Sequence, residues 1–404
     1  MSKSLNIGLF TDTYFPQING VATSVHLLRN ELMALGHNVY IFTTTDPRAE
    51  RDAGIFRMRS MPFVFLPSHR VGLLYSPNAL LKMRRLKLDI VHTHSEFSLG
   101  IFGKIVSEFL KIPLVHTYHT LWEDYVHYVA GGHLITPKMA RRFSRFFCNR
   151  ARVVIAPTEK AEGYLHRYGV ERPIRVIPTG ISFAPFAPES YCKNDIAELK
   201  QSIGILPNER VLLSLGRVGK EKSIDVIIKQ MPKILEMMPG VKLVIVGDGP
   251  VRAELEEISK NLQVDANVVF TGAKPWNEIG KYYQIGDAFI NASVTETQGL
   301  TYVEAMAAGL PVIAKFDQSI EKLVRHDVTG YTFSNDADLA QLVVDVLTND
   351  ADKERIISTA ASSIEHLSSK KYGQSAANLY AEVISAYPGP SKASRTVRLK
   401  VRRG

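Results

Sequence analysis

Two glutamates eight positions apart, Glu296 and Glu304, bracket the segment Glu296-Thr-Gln-Gly-Leu-Thr-Tyr-Val-Glu304. An apolar run, Asp287-Ala-Phe-Ile-Asn-Ala-Ser293, precedes it, and a small-residue stretch, Tyr302-Val-Glu-Ala-Met-Ala-Ala-Gly309, follows. The order is strand, tight turn, helix. Glu296 therefore falls at the carboxyl end of a strand, where open α/β sheets keep their ligand crevice. Glu304 falls about one turn inside the helix. Gly299 lets backbone N–H groups come close to an anion, and a helix start favours negative charge. Phosphates and hydroxyls on one ligand, as in a sugar nucleotide, match this set of groups.

A second set follows another strand, in Ser214-Leu-Gly216-Arg217-Val-Gly-Lys220-Glu-Lys222. Arg217 offers a bidentate fork and Lys222 a point charge, a combination suited to a diphosphate. Fixed cations beside a departing diphosphate lower the barrier to its departure. The alternative is a pair of solvated surface cations, which a helix start disfavours. Val246-Gly-Asp-Gly-Pro250 is read as a turn with Asp248 as an N-cap. Asp336-Ala-Asp338 and Asp350-Ala-Asp352 have the letters of a metal-holding Asp-x-Asp pair but stand where helices begin, as caps and first-turn acids. No metal is expected at the site. His92 and His94 end one strand, and His116 and His119 end the next. Alternation along strands is expected to splay these rings to opposite faces, arguing against a metal site. His92 is read as a buried structural histidine and His119 as a sugar or acceptor contact.

These groups need elements to hold them. At 404 residues the chain suggests two domains of similar size. Strand runs alternate with helical patterns, as in parallel sheets. Expected strands are 5–10, 38–43, 89–94, 113–116, 152–156 and 174–178, then 210–216, 242–247, 267–272, 287–292 and 311–314. A helix over 21–35, with Val25, Leu28, Leu32 and Leu35 on one face, ends at Gly36. The loop Phe15-Pro-Gln-Ile-Asn-Gly20 ahead of it suits a close approach to a ligand, or an ordinary turn. The fold class is α/β, two Rossmann-like doubly wound domains facing across a cleft. The first spans 1–182, a linker 183–202, and the second 203–371. A helix over 372–387 packs late, with the first domain as one place for it. A basic tail, 388–404, is expected to be disordered.

The net charge of +9 is unevenly spread. Lys82, Arg84, Arg85 and Lys87 form one cluster. Lys138, Arg141, Arg142, Arg145, Arg150 and Arg152 form another, interleaved with Met139, Phe143, Phe146 and Phe147. Such a pattern suits an interfacial amphipathic helix on an anionic membrane as well as a buried phenylalanine face. Met61–Tyr75 reads as an apolar, proline-broken loop. Cys148 and Cys192 are too few for a disulfide framework, and no apolar run reaches the ~20 residues of a membrane span. The expected location is the cytoplasm, peripheral on the inner face of the membrane.

The Pro16–Gly20 loop, Thr117-Tyr-His119, Gly216-Arg217 with Glu221-Lys222, and the Glu296/Glu304 pair occur together in an order and spacing that resembles the family 4 retaining glycosyltransferases of the GT-B fold. The resemblance covers nearly the whole chain. Within that family, His116-Thr-Tyr-His-Thr-Leu-Trp-Glu-Asp-Tyr125 and Glu296-Thr-Gln-Gly-Leu300 look like bacterial 1,2-diacylglycerol 3-alpha-glucosyltransferases. The resemblance implies that Gly216, Arg217 and Lys222 bind the donor diphosphate, Glu304 the ribose and Glu296 the transferred sugar. Backbone of Gln298, Gly299, Leu300 and Thr301 would contact sugar and phosphate. His119 would lie near the reacting carbon, and Asn19 and Gly20 would close over the donor. Two departures are Thr179, where many members have Asn, and Thr297-Gln298, where relatives often have Gly-Phe.

The expected function is metal-independent transfer of glucose from UDP-glucose to the 3-hydroxyl of diacylglycerol. Arg141, Arg142, Arg145, Phe143 and Phe146 would contact the membrane. Other readings keep the chemistry with GDP-mannose and phosphatidylinositol, or add a second sugar to a glycolipid. A non-catalytic sugar-nucleotide sensor and a nucleic-acid binder are weaker readings, the latter because no nucleic-acid motif is visible.

Overall fold

A computed structural model describes residues 4–17, 19–49, 52–63, 66–72, 77–120, 136–294, 296 and 298–387; for 62, 63, 66–69, 77–79 and 82 it describes backbone only. The chain divides into two compact units, Met1–Gly180 with Ser369–Gly404, and Ile181–Ser368.

In the first unit the strands β1 (Asn6–Phe10), β2 (Asn38–Thr44), β3 (Ile55–Met58), β6 (Ile90–Thr93), β7 (Leu114–Thr117), β8 (Val153–Ala156) and β9 (Ile174–Val176) form a parallel sheet. Their order is β3-β2-β1-β6-β7-β8-β9. Central strands are covered on both faces and so read as unbroken apolar runs; Ile7, Leu9, Ile90, Val91 and Val115 are fully buried. Helix α1 (Gly20–Ala34) begins at Asn19, whose side chain accepts from the Ala22 N–H, and stops before Gly36 at φ 87°. The remaining described helices before the second unit are α2 (Pro77–Arg85), α3 (Ser98–Leu110), α4 (Pro137–Cys148) and α5 (Glu159–Arg167).

The second unit holds a parallel sheet of β10 (Arg210–Leu215), β11 (Val241–Val246), β12 (Val268–Gly272), β13 (Ala288–Asn291), β14 (Val312–Lys315) and β15 (Tyr331–Phe333). Its order is β12-β11-β10-β13-β14-β15. The helices are α6 (Lys193–Ser202), α7 (Ile224–Met237), α8 (Arg252–Asn261), α9 (Trp276–Tyr283), α10 (Leu300–Ala307), α11 (Leu339–Thr348) and α12 (Asp350–Ser363). A last helix, α13 (Ser369–Ser385), belongs to the first unit and packs on α1. Its Tyr372 hydroxyl lies 3.1 Å from Ser24 Oγ, and its Tyr380 hydroxyl 2.6 Å from His92 Nδ1.

The structure departs from the sequence expectations in four places. Residues 183–202 are not a structureless linker. Phe186 is buried in the second core, and Ile196 and Leu199 of α6 pack against it. Only two apolar side chains anchor α6, too few to give a visible period. The proline-broken stretch is not a loop: β4 (Ser60–Phe63) and β5 (Leu66–Gly72) pair antiparallel, with Ser60 opposite Gly72. A two-stranded ribbon has a free edge on each strand, where a proline costs no ladder bond. The short strands β3 and β15 went unseen. Asp248 caps no helix; its carboxylate accepts from the Gly249 N–H, and α8 starts only at Arg252. Thr297, Trp122–Tyr125 and the tail 388–404 lie outside the described residues.

Candidate active site

In the second unit the sheet order reverses between β10 and β13. Strands run outward in sequence from β10 through β11 to β12 on one side, and from β13 to β15 on the other. Ligands of open α/β sheets bind at the carboxyl ends of the strands at such a switch point. The paired residues Leu212 and Ala288 place these two ends side by side. Gly216 follows β10 and Glu296 follows β13, so both groups singled out from sequence converge there. The Ser293 hydroxyl donates to the Glu221 carbonyl at 3.1 Å and ties the two loops together. Lys222 Nζ lies 2.5 Å from Glu296 Oε1, with both side chains largely shielded. Arg217 is exposed on the same loop. The loop runs close over the next strand end: a Cβ on Gly247, itself at φ +147°, would overlap the Gly216 carbonyl.

Gly299 stands just before α10 at φ 70°, ψ 46°, and offers no side chain to cap the helix. A Cβ there would meet Tyr302 Cδ2 at 2.6 Å and Ile320 Cγ2 at 3.3 Å, so the turn demands glycine twice over. The Tyr302 N–H bonds the Gly299 carbonyl at 3.0 Å, and the Leu300 and Thr301 N–H groups ahead of it suit a ligand. Thr301 Oγ1 is buried beside them with no hydrogen-bond partner. Gln298 and Leu300 flank this turn, both partly accessible.

Glu304 lies one turn along α10. Tyr283 Oη donates to its Oε2 at 2.7 Å. Burial raises the Glu304 carboxyl from 4.5 to about 7, and the bond from Tyr283 pulls the other way. Sequence reasoning missed Tyr283, which no motif marks and which lies 21 positions from its partner. The two Asp-Ala-Asp pairs occupy first turns, capped by Asn335 and Asn349. Lys315 pairs with Asp336 at 2.8 Å.

The candidate residues of the first unit lie at its own switch point, between β1 and β6. His119 Nε2 lies 3.0 Å from His94 Nδ1. Burial first, then the charge of His116, lowers His119 to about 3, so the ring is neutral near pH 7. The rings are not splayed as expected: His92 lies tilted against His94 with centroids 4.0 Å apart and His94 stacks on His119 at 5.3 Å, while His116 bonds Thr93 instead. His92 is fully buried, with Tyr380 on Nδ1 and Thr117 at 2.7 Å on Nε2, as a structural histidine should be. Asn19 serves as a cap, its Oδ1 taking the Ala22 N–H and its Nδ2 donating to Thr13 Oγ1 at 2.6 Å. Gly20 is exposed at the same helix start. Asp12, also missed, clamps α3 by accepting from Ser95, Ser98 and the Leu99 N–H. Helix α4 is amphipathic: Ala140, Ser144, Phe147 and Cys148 face inward, while Met139, Arg141, Arg142, Arg145 and Phe146 are exposed. Phe143 is half-buried against Phe97, and Arg145 pairs with Glu171 at 3.3 Å.

Residues 18–184 match the Glycosyltransferase Family 4 domain family and residues 195–363 match Glycosyl transferases group 1. The chain is 40% identical over 382 residues to "Alpha-monoglucosyldiacylglycerol synthase" of Streptococcus pneumoniae, spanning 94% of this chain and 86% of that protein. The chain is a family 4 glycosyltransferase. It is also 34% identical over 391 residues to the enzyme of the same name from Acholeplasma laidlawii, covering 94% of one and 98% of the other. Among solved structures, the glycosyltransferase resembles Anabaena HepE in complex with UDP-glucose. That match has TM-score 0.74 and 18% identity, with 93% and 99% of the two chains covered. Sucrose-phosphate synthase of Thermosynechococcus elongatus matches with TM-score 0.73 and 21% identity, covering 94% and 99%. The fold is that of the GT-B glycosyltransferases. Among the described residues, no helix of this glycosyltransferase is long and apolar enough to cross a membrane.

Proposed function

We propose that this glycosyltransferase moves glucose from UDP-glucose to the single free hydroxyl of 1,2-diacylglycerol. The product keeps the α configuration, and the reaction takes place at the cytoplasmic face of the membrane. The observation that carries the reading is the 40% identity to a monoglucosyldiacylglycerol synthase across almost the full chain. The uncapped helix start at Gly299, beside Lys222 and Glu296, supports a sugar-nucleotide donor. In this reading the α10 N–H groups, Lys222 and Arg217 take the diphosphate. Their fixed positive potential stabilises the charge that builds on the leaving oxygen as the glycosidic bond lengthens. Glu296 accepts from sugar hydroxyls and Glu304 from the ribose. The backbone of Gln298, Leu300 and Thr301 orients the donor.

In the same reading His119, a neutral ring 3.0 Å from His94 Nδ1, contacts sugar hydroxyls without adding charge. The cations take the role that a divalent ion has in other sugar-nucleotide enzymes, so the reaction runs without metal. The exposed Arg141, Arg142 and Phe146 of α4, with the half-buried Phe143, rest on anionic headgroups.

The test is incubation of the purified chain with radiolabelled UDP-glucose and diacylglycerol vesicles, with and without anionic lipid and chelator. Labelled glycolipid that survives chelator and vanishes in Glu296→Ala is expected. Transfer from another donor, or to phosphatidylinositol or a glycolipid instead, overturns the substrate assignment.

A further inference from the structure

Tyr283 closes α9 and is fully buried. Its ring sits edge-on to Phe186 at 5.5 Å and against Phe289 at 5.8 Å, so the phenol is fixed before any ligand arrives. The hydroxyl reaches Glu304 Oε2 at 2.7 Å, with the Thr301 carbonyl further off at 3.3 Å. Among the described residues, no other side chain hydrogen-bonds Glu304. A buried phenol without an acceptor and a buried carboxylate without a donor each carry a desolvation cost. The pair therefore locks both rotamers at once.

We propose that Tyr283 is the positioning residue of the nucleotide site: by holding Glu304 Oε2 it turns Oε1 toward the ribose hydroxyls of the donor. The proposal rests on the donor reading given above. A carboxylate accepts two ribose hydroxyls well only when ionised and pointed at them, and Tyr283 serves both needs. Burial already brings Glu304 to about 7, and the Tyr283 bond is the force that opposes it. Among the described residues, no other titratable group perturbs Glu304. Tyr302, two positions earlier on the same helix, feels Glu296 and Asp317 instead. Without the Tyr283 hydroxyl the carboxyl loses its one donor, holds its proton to higher pH and is free to rotate.

The experiment is calorimetric titration of UDP into the full chain, as wild type, Tyr283→Phe, Glu304→Gln and the double variant, from pH 6 to 8.5. Wild-type affinity should rise with pH through about 7. Tyr283→Phe should weaken UDP about tenfold at pH 7, in line with loss of a charge-assisted hydrogen bond, and move the midpoint upward. In the Glu304→Gln background the same change should add less than about twofold, because the two residues act as one unit. 2′,3′-Dideoxy-UDP, which lacks the hydroxyls, should bind wild type and Tyr283→Phe alike, and that equality also reports an intact fold. Full additivity in the double variant, or an unmoved affinity and midpoint in Tyr283→Phe, overturns the role of Tyr283 while the donor reading stands. A wild-type chain that binds no UDP overturns the donor reading, and this role with it.

Discussion

Lys222 Nζ meets Glu296 Oε1 across 74 positions of sequence, joining the loop after β10 to the loop after β13. The cation proposed for the donor phosphates and the carboxylate proposed for the sugar thus neutralise each other. Removing either leaves the other shielded and without this close countercharge. Lys222→Met and Glu296→Gln should each lower kcat/KM by about 10²-fold or more. The double variant should fall short of the product of the two losses, with a coupling of about 1–3 kcal/mol. Steady-state kinetics on all four proteins measures this, and strict additivity would show that the pair does not act together.

Gly299→Ala tests the turn that opens α10. The backbone sits at φ 70°, and the added methyl has Tyr302 and Ile320 in its way. Strain of about 1–3 kcal/mol is expected, read as a lower urea midpoint together with a raised KM for the donor. An unchanged KM would mean that the first turn of α10 touches no donor group.

Glu304 gives stability a pH dependence of known sign. Its carboxyl titrates near 4.5 when unfolded and at about 7 when folded, so the folded chain holds the extra proton between those values. The associated stability is complete below 4.5 and is lost as pH rises through 7. Denaturation of wild type and Glu304→Gln across pH 5 to 8 should show this decline in the wild type and a flatter curve in the variant. A decline of equal size in both would assign it to other groups.

The convergence of the candidate donor groups was legible in sequence because those groups sit in short contiguous segments. Glycine, carboxylate and cation spacing around Gly216–Lys222 and Glu296–Glu304 reports the strand-turn-helix geometry directly. What stayed hidden depends on tertiary contact. Tyr283 is an ordinary aromatic in its own helix and gains meaning only where α9 meets α10. Asp12 reads as a strand-ending acid until α3 arrives to be clamped. The cluster of His92, His94 and His119 escaped because residues two apart on a strand share a face, and the neighbouring strand end brought the third ring to them. Helix α6 was hidden because two apolar side chains give no measurable period.

The exposed face of α4 carries the membrane prediction. Arg141→Glu with Arg142→Glu should weaken binding to anionic vesicles by about 10²-fold or more, from about 1 kcal/mol for each cation near the surface and a repulsion of similar size for each added acid. Phe146→Ser should weaken it further, since that ring is 55% exposed. UDP affinity should stay put in both variants. Cosedimentation and calorimetry read the two effects separately, and wild-type binding to vesicles by these variants would place the membrane contact elsewhere.

Removing the Tyr380 ring tests the seat of α13. The side chain is fully buried and bonds His92 at 2.6 Å. Tyr380→Ala should cost about 3–5 kcal/mol, as for other large buried rings, and Tyr380→Phe roughly 1–2 kcal/mol for the hydrogen bond alone. Denaturant titration distinguishes them, and a Tyr380→Phe variant as stable as the wild type would mean that the hydroxyl contributes nothing.

Helix α13 is the last described element of the chain yet finishes the first unit, where Tyr372, Ala376 and Tyr380 close the apolar layer over Ile7, Val25 and Leu28. The ribosome therefore emits the second unit whole before it delivers the piece the first one lacks. At about 5–20 residues per second, the 188 residues from Ile181 to Ser368 hold that layer uncovered for roughly 9 to 40 seconds. Over that interval the nascent enzyme presents a strip of side chains with no cover, a natural substrate for chaperones. A stop codon anywhere before α13 makes that exposure permanent.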